Sequence, residues 1–180
     1  MGLEHVWGQP MNQSLPITIR QATINDTDTI ANYNVMMALE TEGISLDLNR
    51  VKNGVHAVLG NSAKGFYIVA ATKTQVVGQM MITFEWSDWR NGVFWWIQSV
   101  YVHPSHRRLS IFTRLYQHVN NHAKTTTGVC GLRLYVEHKN AIAQAAYQSL
   151  GMIQTVYKVY ETDFIISRNS STPSTPISTD

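Results

Sequence analysis

Two adjacent arginines behind a strand-like run are the first residues with an evident chemistry. Arg107 and Arg108 follow FWWIQSVYVHPSH and precede LSIFTRLY. Guanidinium groups grip phosphate oxygens through parallel N–H donors. The unpaired N–H groups that open a helix favour the same anions. Arg107, Arg108, Leu109, Ser110, Ile111 and Phe112 together make a candidate cradle for a phosphate or diphosphate. A second concentration is aromatic: Trp86, Trp89, Trp95 and Trp96, with Tyr33, suit the wall of a site for an aromatic or cationic small molecule. Trp95 and Trp96 are neighbours on a strand, so they face opposite sides unless a bulge intervenes. His118 and His122 stand four apart, a spacing that suits a metal, but no third ligand accompanies them and no metal is expected. Cys130 is the only cysteine, which excludes an intrachain disulfide and a cysteine-based metal cluster.

The elements that must position these groups are legible around them. The run 94–102 is β-branched and aromatic, as a buried strand should be, and Pro104 marks its end. Leu109, Phe112, Leu115, Tyr116, Val119 and Ala123 then recur at helical spacing, an amphipathic helix burying one stripe. Upstream, Ile17 and Ile19 mark a short strand. Asn25 and Asp26 suit the cap of a helix carrying Ile30, Tyr33, Met37 and Leu39 and ending at Gly43. Leu48, Val51, Val55 and Val58 suggest a second helix closed by Gly60. A hairpin of 66–71 and 76–84 turns at Lys73, and 85–92 connects it to the central strand. Further on come a strand over 132–136, a helix from Asn140 to Leu150 stopped by Gly151, and one or two strands within 152–166. This order cannot be doubly wound, because hairpins interrupt the crossovers. It implies an α/β fold with a mixed, mostly antiparallel sheet and helices on both faces. Residues 1–16 read as an arm, with Trp7 tucked against the domain. Residues 17–166 read as the domain, and the Ser/Thr/Pro-rich 167–180 as a disordered tail.

A chain of 180 residues with 44% hydrophobic and 14% charged content suits one well-buried domain. A net charge of +2 gives no footing for nucleic acid or an anionic membrane, so neither is expected as a partner. With no long apolar run and no leader pattern, the expected home is cytoplasmic. A homodimer is left open.

The arginine-bearing segment resembles a known family. Val102, Pro104, Arg107, Ser110 and Phe112 follow the V-x-P-x-x-R-x-x-G-x-G/A acetyl-CoA signature of the GCN5-related N-acetyltransferases, with Ser110 and Phe112 in place of its small residues. Asn140, Ala143, Tyr147, Leu150 and Gly151 match the family's N-x-x-A-x-x-x-Y-x-x-L-G pattern in register. The resemblance, over about 17–164, implies a fold whose central strands splay to admit the pantetheine arm of acetyl-CoA. It implies cofactor contacts along Val100, Tyr101, Val102, 107–112, Asn140, Ala143 and Tyr147. A backbone N–H near Val100 or Tyr101 would hold the thioester carbonyl, and Tyr147 would protonate the leaving thiolate, a phenol near 10 serving a thiol near 8.5. The family's usual glutamate on the central strand is missing. Glu85 is the best substitute base, followed by Glu40 and Glu42. Tyr33, Glu40, Trp86 and Trp96 would line the acceptor side. The implied activity is direct acetyl transfer from acetyl-CoA to a primary amine on a small or amino-acid-like molecule. The alternative is a non-catalytic acyl-CoA-binding module with the same fold.

Overall fold

A computed structural model describes residues 16–166, in two compact units that divide between Ala141 and Ile142. The first holds a five-stranded sheet: β1 (Thr18–Gln21), β2 (Phe66–Ala71), β3 (Val76–Ser87), β4 (Gly92–Val102) and β5 (Val129–Arg133). Strands lie in sequence order; β1 to β4 pair antiparallel and β5 joins β4 in parallel. The helices of this unit are α1 (Thr27–Glu42), α2 (Leu48–Leu59) and α3 (Ile111–Thr125).

Residues directly opposite in a ladder share a face, and the registers sort the sheet cleanly. Tyr67, Val69 and Tyr101 point to one side, where they form a core with Ile30, Ala31 and Tyr33 of α1 and Val55 of α2. The other side receives α3. A Cβ added to Gly78 would stand 2.9 Å from Ile111 Cγ2, so this glycine lets the opening turn of α3 press onto β3. Farther along α3, the His122 ring packs edge-on against Trp95 at 5.1 Å. Among the described residues no group of three potential metal ligands occurs, and no helix is long and apolar enough to cross a membrane.

Entry into α1 is built by Asp26. Its carboxylate accepts the Thr23 N–H at 2.7 Å and two Arg20 bonds at 2.8 Å. Asp26 therefore acts through the short turn before α1, and its side chain does not cap the helix itself. Gly43 ends α1 in the left-handed conformation expected of a C-terminal glycine. Asp47 caps α2 by accepting the Arg50 N–H.

Several boundaries differ from the sequence expectation. The β3 strand runs on to Ser87, because Glu85, Trp86 and Ser87 pair with Phe94, Val93 and Gly92, and the connection shrinks to 88–91. The β5 strand is 129–133 instead of 132–136, since its ladder with β4 ends where Trp96 meets Arg133. Leu39 is exposed. In α3 the buried stripe begins at Ile111; Leu109 precedes the helix and is 54% exposed, and Phe112 is half-buried. The second unit carries α4 (Ala141–Ser149), with Gly151 left-handed behind it. Residues 152–166, expected as strand, form none, and Ile153, Val156, Tyr157, Val159, Tyr160 and Phe164 are exposed there. The expected arm, apart from its last residue, Pro16, and the tail lie outside the described residues.

Candidate active site

Strand β4 is the axis of the site, and it is irregular where the chemistry is expected. Gln79 faces Tyr101 and Met81 faces Gln98, so Ser99 and Val100 together oppose the single Met80. This is a β-bulge, with Ser99 in a left-handed conformation at φ 48°. On its other side β4 is paired with β5 only from Val93 to Trp96. Among the described residues no strand lies beside that edge from Ile97 to Val102, so β4 and β5 part as a splayed pair should. A bulge next to a free edge releases backbone N–H groups from the ladder. Val100 and Tyr101 lie there.

Beyond Val102 the chain makes the expected basic turn. A short 3-10 turn (Pro104–His106) is followed by Arg107 in an extended conformation, then by Arg108 and Ser110 at φ 65° and 55°. Two left-handed residues within three explain why glycine suits this loop. Ser110 is the N-cap of α3 but makes no side-chain cap bond, and the first helical bond runs from the Arg114 N–H to the Ser110 carbonyl. Val102, His106, Arg107, Arg108, Ser110, Ile111 and Phe112 line a concavity of about 340 Å³ at this helix start. Its scale suits a diphosphate; Phe112 belongs to its wall, with its ring 6.3 Å from Tyr116.

The Arg107 guanidinium is turned toward α1. It donates to the Val102 carbonyl at 3.0 Å and to Glu40 at 2.6 Å. The Tyr101 hydroxyl donates to the other Glu40 oxygen at 2.9 Å. Arg107 holds the Glu40 carboxyl below its ordinary range, while burial and the neighbouring carboxylate push Tyr101 up to about 12. Glu40 therefore ties the end of α1 to the basic turn. Tyr33 is not brought to the site: it is 9% exposed, packs 5.0 Å from Tyr101 and donates its hydroxyl to the Val76 carbonyl at 2.7 Å. It is a core residue.

At the far end of β4, Glu85 accepts the Trp96 indole N–H on one oxygen and pairs with Arg133 on the other. Arg133 lies 3.8 Å over the Phe94 ring, and that ring sits where a Cβ on Gly131 would be, at 2.7 Å. Glu85 stands at the level of Phe94, six residues before Val100 and roughly 20 Å along the strand at about 3.3 Å per residue. Trp96 shares this face with Tyr135, 5.8 Å away. Trp86 pairs with Val93 on the opposite face and is 62% exposed, so the two tryptophans are not brought together. In the second unit, Tyr147 lies on α4 and burial raises its phenol above the ordinary value. Ala143 is one turn before it on the same helix. Asn140, at the end of the first unit, donates its N–H to the Glu137 carbonyl at 2.9 Å.

The sequence reading missed the bulge, Gln79 and Arg133. A polar residue inside the apolar run VVGQMMITF was the available signal for Gln79.

The fold has counterparts. The model of the acetyltransferase (GNAT) family matches residues 37–152. A possible acetyltransferase from Clostridium difficile 630 is 46% identical, with a TM-score of 0.77 over 83% of this chain and 99% of that one. A predicted acetyltransferase with acetyl-CoA from Clostridium acetobutylicum is 18% identical, with a TM-score of 0.68 over 82% of this chain and 96% of that one. Glucosamine-6-phosphate N-acetyltransferase from Arabidopsis thaliana is 16% identical, with a TM-score of 0.63 over 82% and 98%. The last two share the fold. No curated protein matches the chain. The chain belongs to the acetyltransferase (GNAT) family.

Proposed function

We propose that the protein transfers an acetyl group from acetyl-CoA to the primary amine of a small molecule, directly within a ternary complex. The observation that carries this is the β4 bulge beside an unpaired strand edge, ending in a left-handed basic turn at the start of α3. The first N–H groups of α3 and the Arg108 side chain take the diphosphate, and Arg107 supports the turn. The pantetheine arm follows β4, and the thioester carbonyl accepts an N–H from Val100 or Tyr101, where negative charge develops. The neutral amine attacks that carbon; the C–S bond breaks as the C–N bond is completed. Tyr147 supplies the proton to the thiolate; a phenol, whose ordinary value is near 10, is protonated at neutral pH. The amine's surplus proton leaves to water, and Tyr147 regains a proton from solvent.

Glu85 was the first choice of base from the sequence. Its distance from Val100 and its bonds to Trp96 and Arg133 instead favour a role in holding the far end of the acceptor face. Glu40, beside Tyr101, is the nearer carboxylate, and its charged partner makes it better suited to attracting an ammonium group than to deprotonating it. Trp96 offers an aromatic wall on the same face. Residues 17–166 carry the activity. Release of free thiol from acetyl-CoA, followed over a panel of amines, tests the reading. Turnover of at least one amine supports it; coenzyme A binding without thiol release from any amine would favour the non-catalytic module.

A further inference from the structure

Beside the β4 bulge lies a ring of buried polar side chains that the transfer chemistry does not itself require. Gln79 on β3 is 0% exposed; its Nε2 donates to Asn34 Oδ1 at 2.7 Å and to the Ser99 carbonyl at 3.4 Å. Asn34 Nδ2 donates to the Tyr67 hydroxyl oxygen at 3.2 Å. Four elements (α1, β2, β3 and β4) thus meet in this cluster, and Gln79 holds Ser99 through its carbonyl.

The ring is a poor device for stability alone. Gln79 Oε1 is buried without a hydrogen-bond partner among the described residues, and leaving such a group unsatisfied costs about 1–3 kcal/mol. An apolar side chain of similar volume would serve the core better. What the ring does instead is over-determine one backbone conformation. Ser99 at φ 48° is strained for a residue with a side chain, and such strain persists only where the surroundings fix it. On the other side of the bulge, Tyr101 is anchored in the core at 4% exposure with its hydroxyl on Glu40. Both flanks of Val100 are therefore pinned. Flattening the bulge by one residue would turn Tyr101 out of the core.

Resting on the acetyltransferase reading, we propose that Gln79, with Asn34 and Tyr67, is a positioning set that locks the Ser99 bulge and so aims the Val100 N–H at the acyl carbonyl. The direct test is Gln79→Leu. A displaced oxyanion donor costs roughly ten- to a hundredfold in rate. The expected result is a kcat lower by that factor and a KM for acetyl-CoA within about twofold of wild type. Carbon-13-edited infrared spectra of bound acetyl-CoA should show the carbonyl downshift of the wild type reduced in the variant. A kcat within twofold of wild type, or a parallel rise in KM with a lower melting temperature, overturns the proposal. Should Gln79→Leu fail to fold, Tyr67→Phe removes the hydroxyl and keeps the ring; an unchanged kcat and carbonyl shift there also overturn it. The infrared reading separates this proposal from the one beneath it. Wild-type protein that binds acetyl-CoA with a downshifted carbonyl but acetylates no amine contradicts the enzyme reading alone. Full activity in Gln79→Leu contradicts the positioning role alone.

Discussion

Replacing Ser110 with glycine separates what the basic turn needs for folding from what it needs for its ligand. Ser110 is exposed, sits at φ 55° and caps nothing with its hydroxyl. A left-handed conformation costs an L-residue about 1–2 kcal/mol. The added freedom of glycine in the unfolded chain returns roughly 0.5–1 kcal/mol of that. Ser110→Gly should therefore stabilise the protein by about 0.5–1 kcal/mol, a rise in melting temperature of roughly 1–4 °C for a domain of this size. If the turn keeps one conformation with and without ligand, the strain cancels in binding. Affinity then changes only because a hydroxymethyl group leaves the wall of the concavity and a phosphate oxygen can approach the backbone. One improved charge-assisted bond, partly screened, is worth about 1 kcal/mol, or roughly a fivefold lower Kd. Calorimetric titration with acetyl-CoA, alongside thermal melts, reads both quantities. Arg108→Gly is the control: it relieves the same kind of strain at φ 65° but removes a cation, so it should stabilise while weakening binding. A Ser110→Gly protein that melts higher yet binds acetyl-CoA no more tightly would refute the claim that the diphosphate approaches this backbone.

Other consequences are equally concrete. Asp26→Asn should cost about 2–3 kcal/mol, because a largely buried carboxylate loses charged bonds to Arg20. The Asp26 pKa is lowered by Arg20; its contribution is thus present above the unfolded value near 3.9 and lost as pH falls through the folded one. Urea titrations should show the gap to wild type closing below about pH 4. Tyr147→Phe should lower turnover by roughly a hundredfold with acetyl-CoA affinity unchanged; equal turnover would remove the acid role. Gly78→Ala, forcing a Cβ to 2.9 Å from Ile111, should cost about 1–3 kcal/mol and weaken acetyl-CoA binding by shifting the start of α3. With Glu40 and Glu85 each bound to an arginine, kcat/KM should rise with the free-amine fraction, with a slope near one toward pH 9. A plateau near pH 7 would reveal an efficient base.

What could be read from the chain alone was local. Pro104 ends the strand; the apolar spacing from Leu115 to Ala123 makes α3, and Gly43 and Gly151 stop their helices, because each depends on residues within a turn or two. The bulge at Ser99 was not legible, since it exists only as a mismatch in register between β4 and β3. The same holds for β5, whose limits are set by where Trp96 meets Arg133. Tyr33 looked like a site residue because an aromatic ring carries no label for burial; only the carbonyl of Val76, 43 residues away, explains its hydroxyl. Arg107 was expected to reach into the phosphate cradle, but Glu40, distant in sequence, draws its guanidinium toward α1.

The most direct measurement of the central claim is amide hydrogen exchange across the whole chain with and without acetyl-CoA. Slower exchange across 97–113, with α2 unchanged, is the expected pattern. Protection that spares this stretch, or none at saturating acetyl-CoA, would contradict the assignment of the β4 bulge and the α3 turn as the acyl-donor site.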